Sequence, residues 1–325
     1  MTRQGIPGMS VAVGVNGRLV WSKGFGFADL ENEVPATAET MYRLASISKP
    51  VTAAAVMKLV EEGRLDLDWP IQEYCAAFPD KPWPVTAREL LGHTAGVRHY
   101  SGAEENDEVR TYAGVVDGLS KVAADPLCHP PGAAYTYTTY GYNVLGCAIE
   151  GASGKSYEQF VQESVWKPSG ATTARAEDRF AVIPRRAAGY SRRGPERVLR
   201  KSDFYDNSYK LPGGGWMAAV PDLVRFANAL FLQGTLLSRD SVAAILTPQK
   251  TADGTSTDYG FGWSVEVQEG ERLAWHSGGQ EGVATRLMYF PERRVVVAVM
   301  CNLQGAQTHP LVKRIGRIAG SVLIR

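Results

Sequence analysis

Ser-x-x-Lys occurs twice, as Ser46-Ile-Ser-Lys49 and Ser164-Val-Trp-Lys167, and these are the segments best suited to covalent chemistry. A serine hydroxyl attacks a carbonyl effectively only when a base takes its proton. A lysine three residues further along a helix lies on the same face one turn later, so its amine can reach the hydroxyl. An unperturbed lysine has a pKa of about 10.4, so it acts as a base only where burial or a neighbouring cation lowers that value. Context separates the two copies. Lys167 is followed by Pro168-Ser-Gly170, which closes a helix, whereas Pro50 after Lys49 fits only a helix's first turn. Ser46 then stands at a helix start, where unpaired N–H groups and the positive dipole end favour a developing oxyanion. On this motif alone, a capping serine beside a solvent-facing lysine explains the same residues equally well.

Two further segments offer proton-transfer groups. The run Pro131–Gly146 is aromatic-rich and glycine-punctuated and contains Tyr137 and Thr139, and Trp275-His276-Ser277-Gly278-Gly279 ends a strand-like run. Each also has an ordinary reading, as a core tyrosine or a structural histidine. Gly-x-Ser-x-Gly and His-Glu-x-x-His are absent, and Gly151–Ser156 fails as a phosphate loop because Ile149 stands where its first glycine belongs.

The elements that would position these groups follow from periodicity. Two alternating runs, 10–15 and 18–22, flank Asn16-Gly17, the strongest short hairpin signal. Late in the chain, 262–268 and 272–276 flank Glu269-Gly270, and 284–290 and 294–301 flank Pro291-Glu-Arg293. Together these predict about five antiparallel strands drawn from both chain ends. Residues 46–63 read as a helix with a stripe of Val51, Ala55 and Leu59 widened by Val56 and Val60, and 221–232 and 239–246 read as further helices. The tail places Leu311, Ile315, Ile318 and Val322 at helical spacing, to pack on the sheet. The acidic run Glu104–Glu108 and the basic stretch Arg185–Lys201 read as solvated loops.

Composition narrows the function classes. The 325 residues are 44% hydrophobic and 21% charged, which is globular and not disordered. With 35 Lys+Arg against 34 Asp+Glu, the chain has no net pull toward nucleic acid or an anionic membrane. No apolar run approaches the length of a membrane span, and Met1–Gly8 carries no secretory-type stretch, which points to the cytoplasm, or to the periplasm or secretion if a leader was removed. Cys75, Cys128, Cys147 and Cys301 are far apart and read as reduced core thiols, and no metal-ligand spacing appears among Cys and His.

Taken in order, Ser46-x-x-Lys49, Tyr137-x-Thr139 and His276-Ser-Gly278 resemble the motifs of the serine β-lactamase and penicillin-binding protein superfamily: the group of class C β-lactamases, D-alanyl-D-alanine peptidases and family VIII carboxylesterases. Met41–Ser46, Leu90–Gly96, Gly213–Trp216 and Tyr259–Trp263 resemble the group's flanking phrases, so the likeness runs from about Gly5 to Cys301. The resemblance implies an α/β (α+β) β-lactamase/transpeptidase-like fold, a five-stranded antiparallel sheet flanked by helices with an inserted helical domain. Residues 1–70 and 230–325 would form the sheet domain, 71–229 the insertion, and the cleft between them the active site. It implies Ser46 as nucleophile, Lys49 and Tyr137 as shared base and proton relay, and the N–H groups of Ser46 and Gly279 as oxyanion hole. Thr139, His276, Ser277 and Gly278 would meet the substrate, with His276 setting the local charge and Thr139 bonding the acyl side. No metal or cofactor is implied, and the substrate would be a small ester, lactam or peptide. The chain departs from the β-lactamase pattern at Thr139, commonly Asn, and at His276, commonly Lys. Both departures point to a hydrolase of small esters with weak or no β-lactamase activity, ahead of a peptidase for D-amino-acid substrates or a self-assembling scaffold with a relict pocket. Assembly state is not legible from the sequence.

Overall fold

The computed structural model describes residues 4–102 and 109–322, so the acidic run Glu104–Glu108 lies outside the described residues. The hairpin at Asn16-Gly17 forms as expected, joining β1 (Gly8–Val15) to β2 (Arg18–Asp29) with Asn16 at φ 50°. β3 (Val34–Pro35) and β4 (Met41–Arg43) lead into α1 (Ser48–Glu61). The middle of the chain holds α2 (Tyr140–Ser153), β5 (Arg175–Ala176), β6 (Tyr190–Arg193), β7 (Val198–Lys201), β8 (Trp216–Ala219) and α3 (Val220–Asn228), among shorter helical turns. β9 (Ser264–Gln268), β10 (Glu271–Gln280), β11 (Val283–Phe290), β12 (Val295–Cys301) and α4 (His309–Val322) complete it.

The main sheet runs β3-β2-β1-β12-β11-β10-β9, so the two chain ends meet at the antiparallel pair β1–β12, with Val13 opposite Val297. It has seven strands and not five, because 262–268 yields a strand of its own and β3 adds an edge too short to show a period. Every residue of β1 and β12 is buried, since α3 covers one face and α4 the other. Strands covered on both faces read as continuous apolar runs, which is how Val295–Cys301 reads. No helix among the described residues is long and apolar enough to cross a membrane.

Three sequence expectations change. First, α4 buries Val312, Gly316 and Ala319, while Ile318 is exposed. A Cβ at Gly316 would stand 2.2 Å from the Phe290 ring, so the helix seats closely on its glycine, while the predicted Leu311 and Ile315 pack partly buried against the same core. Secondly, part of 185–201 forms the β6–β7 hairpin. Tyr190 anchors it, donating its N–H to Asn302 O (2.9 Å) and accepting from Leu30 N–H at its phenol (2.8 Å), while Val198 and most of the charged side chains face water.

Thirdly, Cys75 and Cys147 are not thiols but a disulfide, their Cα atoms 5.3 Å apart across a sequence separation of 72. Folding of the 71–78 segment against α2 brings the pair together. Cys128 and Cys301 are free as expected, but only Cys301 is a core thiol, since Cys128 is exposed. Closing a loop of this length restricts the unfolded chain, so reduction or Cys75→Ser should cost about 4 kcal/mol in urea unfolding. An unchanged midpoint under reductant would mean that the bond does not form.

Candidate active site

Ser46 occupies a single tight turn, Ala45–Ile47, between β4 and α1. Three elements pin that turn. β4 pairs with β8, Leu44 N–H donates to Trp216 O (2.8 Å), and Thr285 of β11 donates its hydroxyl to Leu44 O (2.9 Å). Ala45 sits at φ 50°, a conformation costly for a residue with a Cβ and held by these surroundings. β10 packs directly on the turn. Gly278 permits this, because a Cβ there would lie 2.2 Å from Thr285 Oγ1 and 2.3 Å from Leu44 O. Ser46 stays half-buried while its neighbours are covered, and Pro50 falls in the first turn of α1 as expected.

Lys49 has no solvent exposure. Its Nζ lies 3.1 Å from Ser46 Oγ, 3.1 Å from Thr139 Oγ1 and 2.9 Å from Gly213 O. Burial, reinforced by the charge of Lys210, holds the amine well below the usual lysine range. A neutral amine has two N–H groups and one lone pair. The two N–H groups serve Gly213 O and Thr139 Oγ1, which leaves the lone pair for the Ser46 hydroxyl proton. The predicted stripe of α1 proves to be one side of a helix buried all round from Ser48 to Met57, and that is why Lys49 is dry.

The Tyr137 phenol faces the same group: Ser46 is among the side chains that act on it, and Lys49 Nζ stands 4.8 Å from its ring centroid. Burial raises the phenol above its ordinary value, so it keeps its proton. Ser46 therefore lies beside an amine whose charge burial disfavours and a phenol that keeps its proton.

The third motif lies on β10. His276 Nδ1–H donates to Ser277 O (2.7 Å) and Nε2 accepts from Tyr259 Oη (2.9 Å), a tautomer fixed because a carbonyl can only accept. Burial above all pushes His276 down to about 3. This corrects the expectation that it sets the local charge: a dry imidazole stays neutral. Thr139 also differs from expectation. It is 3% exposed and its hydroxyl oxygen accepts from Lys49 Nζ, with Gly213 packed against its methyl group. Ser277 is half-buried, and Gly279 is exposed with open space where a Cβ would stand. The other Ser-x-x-Lys copy is not assembled: Ser164 lies in the turn Gln162–Trp166 and Lys167 is exposed.

Sequence reasoning assigned no role to Gly213, Tyr259 or Lys210. The first two stand in phrases it quoted only as flanks. Lys210 is buried, donates to Tyr205 Oη (2.7 Å) and is pushed down to about 7 by burial. A lysine between Tyr209 and Leu211-Pro212, in an otherwise uncharged stretch, was the available signal. Among the described residues no group of three or more His, Cys, Asp or Glu is arranged to hold a metal ion.

Comparison with known proteins agrees with this geometry. The family described as Beta-lactamase matches residues 1–319. The mitochondrial serine beta-lactamase-like protein LACTB of Bos taurus is 28% identical, over 92% of this chain and 74% of its own length. Penicillin-binding protein 4* of Bacillus subtilis (strain 168) is 28% identical over 90% of this chain and 67% of its own. The octameric penicillin-binding protein homologue from Pyrococcus abyssi superposes with a TM-score of 0.82 at 28% identity, covering 96% of this chain and 73% of that one. A family match over nearly the whole sequence, on a fold shared with these relatives, leads to one conclusion: the chain belongs to the β-lactamase family and is a serine hydrolase of the β-lactamase/penicillin-binding protein type.

Proposed function

We propose that the protein hydrolyses small carboxylic esters through an acyl-Ser46 intermediate, with weak or no β-lactamase activity. The observation that carries this reading is the Ser46 hydroxyl 3.1 Å from the buried Lys49 amine, whose charge burial disfavours, with the Tyr137 phenol, which retains its proton, facing the same group. Lys49 takes the Ser46 proton as Oγ attacks the ester carbonyl. The N–H groups of Ser46 and Gly279 receive the oxyanion, each such donor being worth on the order of 3 kcal/mol. Tyr137 protonates the departing alkoxide and is reprotonated from Lys49. Water, deprotonated by the same pair, then adds to the acyl carbonyl and releases the acid.

The neutral His276 supports weak action on lactams. Held down to about 3, it offers no cation to a lactam carboxylate at neutral pH. A D-amino-acid peptidase is the second reading, favoured by the 28% likeness to penicillin-binding protein 4*. The relict-scaffold reading loses ground because all three motifs converge. The Cys75–Cys147 disulfide supports work in an oxidising compartment, periplasmic or secreted, over the cytoplasm.

The test is kcat/KM on p-nitrophenyl acetate and butyrate, a chromogenic cephalosporin and a D-alanyl-D-alanine peptide. The esters should exceed the cephalosporin by about 10³-fold, a difference of roughly 4 kcal/mol in transition-state stabilisation. Faster turnover of the peptide would install the second reading, and faster turnover of the cephalosporin would overturn both.

A further inference from the structure

We propose that His93 and His99 are positioning residues for the catalytic tyrosine: their imidazole lone pairs hold the consecutive peptide N–H groups of Thr138 and Thr139, and so aim Tyr137 at Ser46 and Thr139 at Lys49. The proposal rests on the Ser46–Lys49–Tyr137 reading given above.

The start of α2 shows why such help is needed. The first N–H groups of a helix have no intrahelical acceptor, and a Ser, Thr, Asn or Asp side chain at the helix start usually supplies one. Thr139 occupies that position but makes no capping bond, because its hydroxyl is engaged with Lys49. Gly141 N–H turns to Thr138 Oγ1 instead (3.2 Å), so the cap depends on how the residues just before the helix are held, and their own N–H groups go to histidines. Thr138 N–H donates to His93 Nδ1 (3.2 Å) and Thr139 N–H donates to His99 Nδ1 (3.2 Å). The rest of the segment is laid along the same stretch of chain. Thr136 N–H donates to His93 O (2.8 Å) and Thr138 Oγ1 donates to Arg98 O (2.6 Å).

Both rings also touch the tyrosine they would steer. The His93 ring centroid is 4.4 Å from that of Tyr137, and the His99 ring meets it edge-on at 5.6 Å. His93 holds an uncommon φ of 60°, which turns its side chain into this cluster, and its Nε2 is buried without a partner. A fold that tolerates an unsatisfied ring nitrogen to keep the other one on Thr138 fits a positioning role better than a packing role, which a phenylalanine would fill without that cost. For each ring, accepting at Nδ1 requires the neutral tautomer protonated at Nε2. Burial keeps His93 well below the ordinary histidine range, so its lone pair persists.

The test uses His99, which is half-buried and tolerates replacement better than the enclosed His93. His99→Asn places an amide oxygen near the Nδ1 position and preserves the acceptor, whereas His99→Leu keeps bulk and removes it. The first readout is the rate at which a fluorophosphonate labels Ser46, which does not depend on the natural substrate. The second is the split between kcat and KM on a p-nitrophenyl ester, with the thermal midpoint as a folding control. His99→Leu should slow labelling and lower kcat by about 30-fold with KM changed less than about threefold, while His99→Asn stays within about fivefold of the parent protein. Labelling by His99→Leu within about twofold of the parent overturns the proposal, and so does a fall in His99→Asn as deep as that in His99→Leu. A parent protein that labels but turns over no ester sinks the ester reading alone, and the labelling rates of the two variants still decide this one.

Discussion

Ser46→Ala should lower ester turnover by about 10⁴-fold or more and abolish fluorophosphonate labelling. The magnitude follows from geometry. The Lys49 lone pair and the Tyr137 phenol both converge on one oxygen, and alanine removes it. What survives is binding and any oxyanion donation from backbone groups, which in other serine hydrolases sustains only a small residual rate. The fold should tolerate the change, since Ser46 is half-buried and its turn is held by Leu44 and Thr285, neither of which uses the serine hydroxyl. Ser164→Ala is the matched control and should leave turnover and labelling unchanged, because Lys167 points to solvent and builds no pair. Loss of labelling in Ser164→Ala with retention in Ser46→Ala would reverse the assignment.

The next largest effect belongs to Lys49. Lys49→Met fills nearly the same space without a base and should lower kcat by about 10³-fold or more. Its pH signature separates it from Tyr137. Burial lowers the Lys49 pKa, and catalysis needs the neutral amine, so kcat/KM should rise as pH climbs through that lowered value and level off below the ordinary lysine range. The Tyr137 phenol is raised and stays protonated across the same interval. Tyr137→Phe should therefore reduce the rate by about 10²-fold while keeping the acid limb, and Lys49→Met should erase the limb itself. His276, held down to about 3, adds no inflection between pH 5 and 8. Stability carries the same sign. The unfolded chain binds the lysine proton more tightly than the native state, so this group's contribution rises with pH between its lowered native value and the ordinary one, and is lost as pH falls. An acid limb that persists unchanged in Lys49→Met would remove Lys49 as the base.

What the sequence disclosed, it disclosed through local rules. Asn16-Gly17 demanded a hairpin, Pro50 demanded a helix start, and that start selected Ser46 over Ser164. Alternation in the last third located β9 to β12, and with them the strand that carries His276. What it concealed depends on contacts between remote segments. The Cys75–Cys147 bond joins positions that share no spacing rule. The close seating of α4 depends on how near Gly316 lets the helix approach Phe290, and a stripe of large apolar residues does not report that. The neutrality of His276 is a consequence of burial under Tyr259, and the second and third partners of Lys49 come from Thr139 and Gly213, far along the chain. Motif order signalled that the three segments meet, but not which side chains would be dry. That dryness disfavours the charged forms of both Lys49 and His276, and the proposed base role of Lys49 rests on it.

The central claim is that a carbonyl substrate is carried covalently on the Ser46 oxygen. Rapid quenching of the protein with a p-nitrophenyl ester, followed by intact-mass measurement and peptide mapping, tests it most directly. The account expects one added acyl group, on the peptide containing Ser46, appearing at least as fast as steady-state turnover. Turnover with no adduct at early times and no burst of p-nitrophenol, or an adduct that maps to Ser164 or to any other residue, would contradict it.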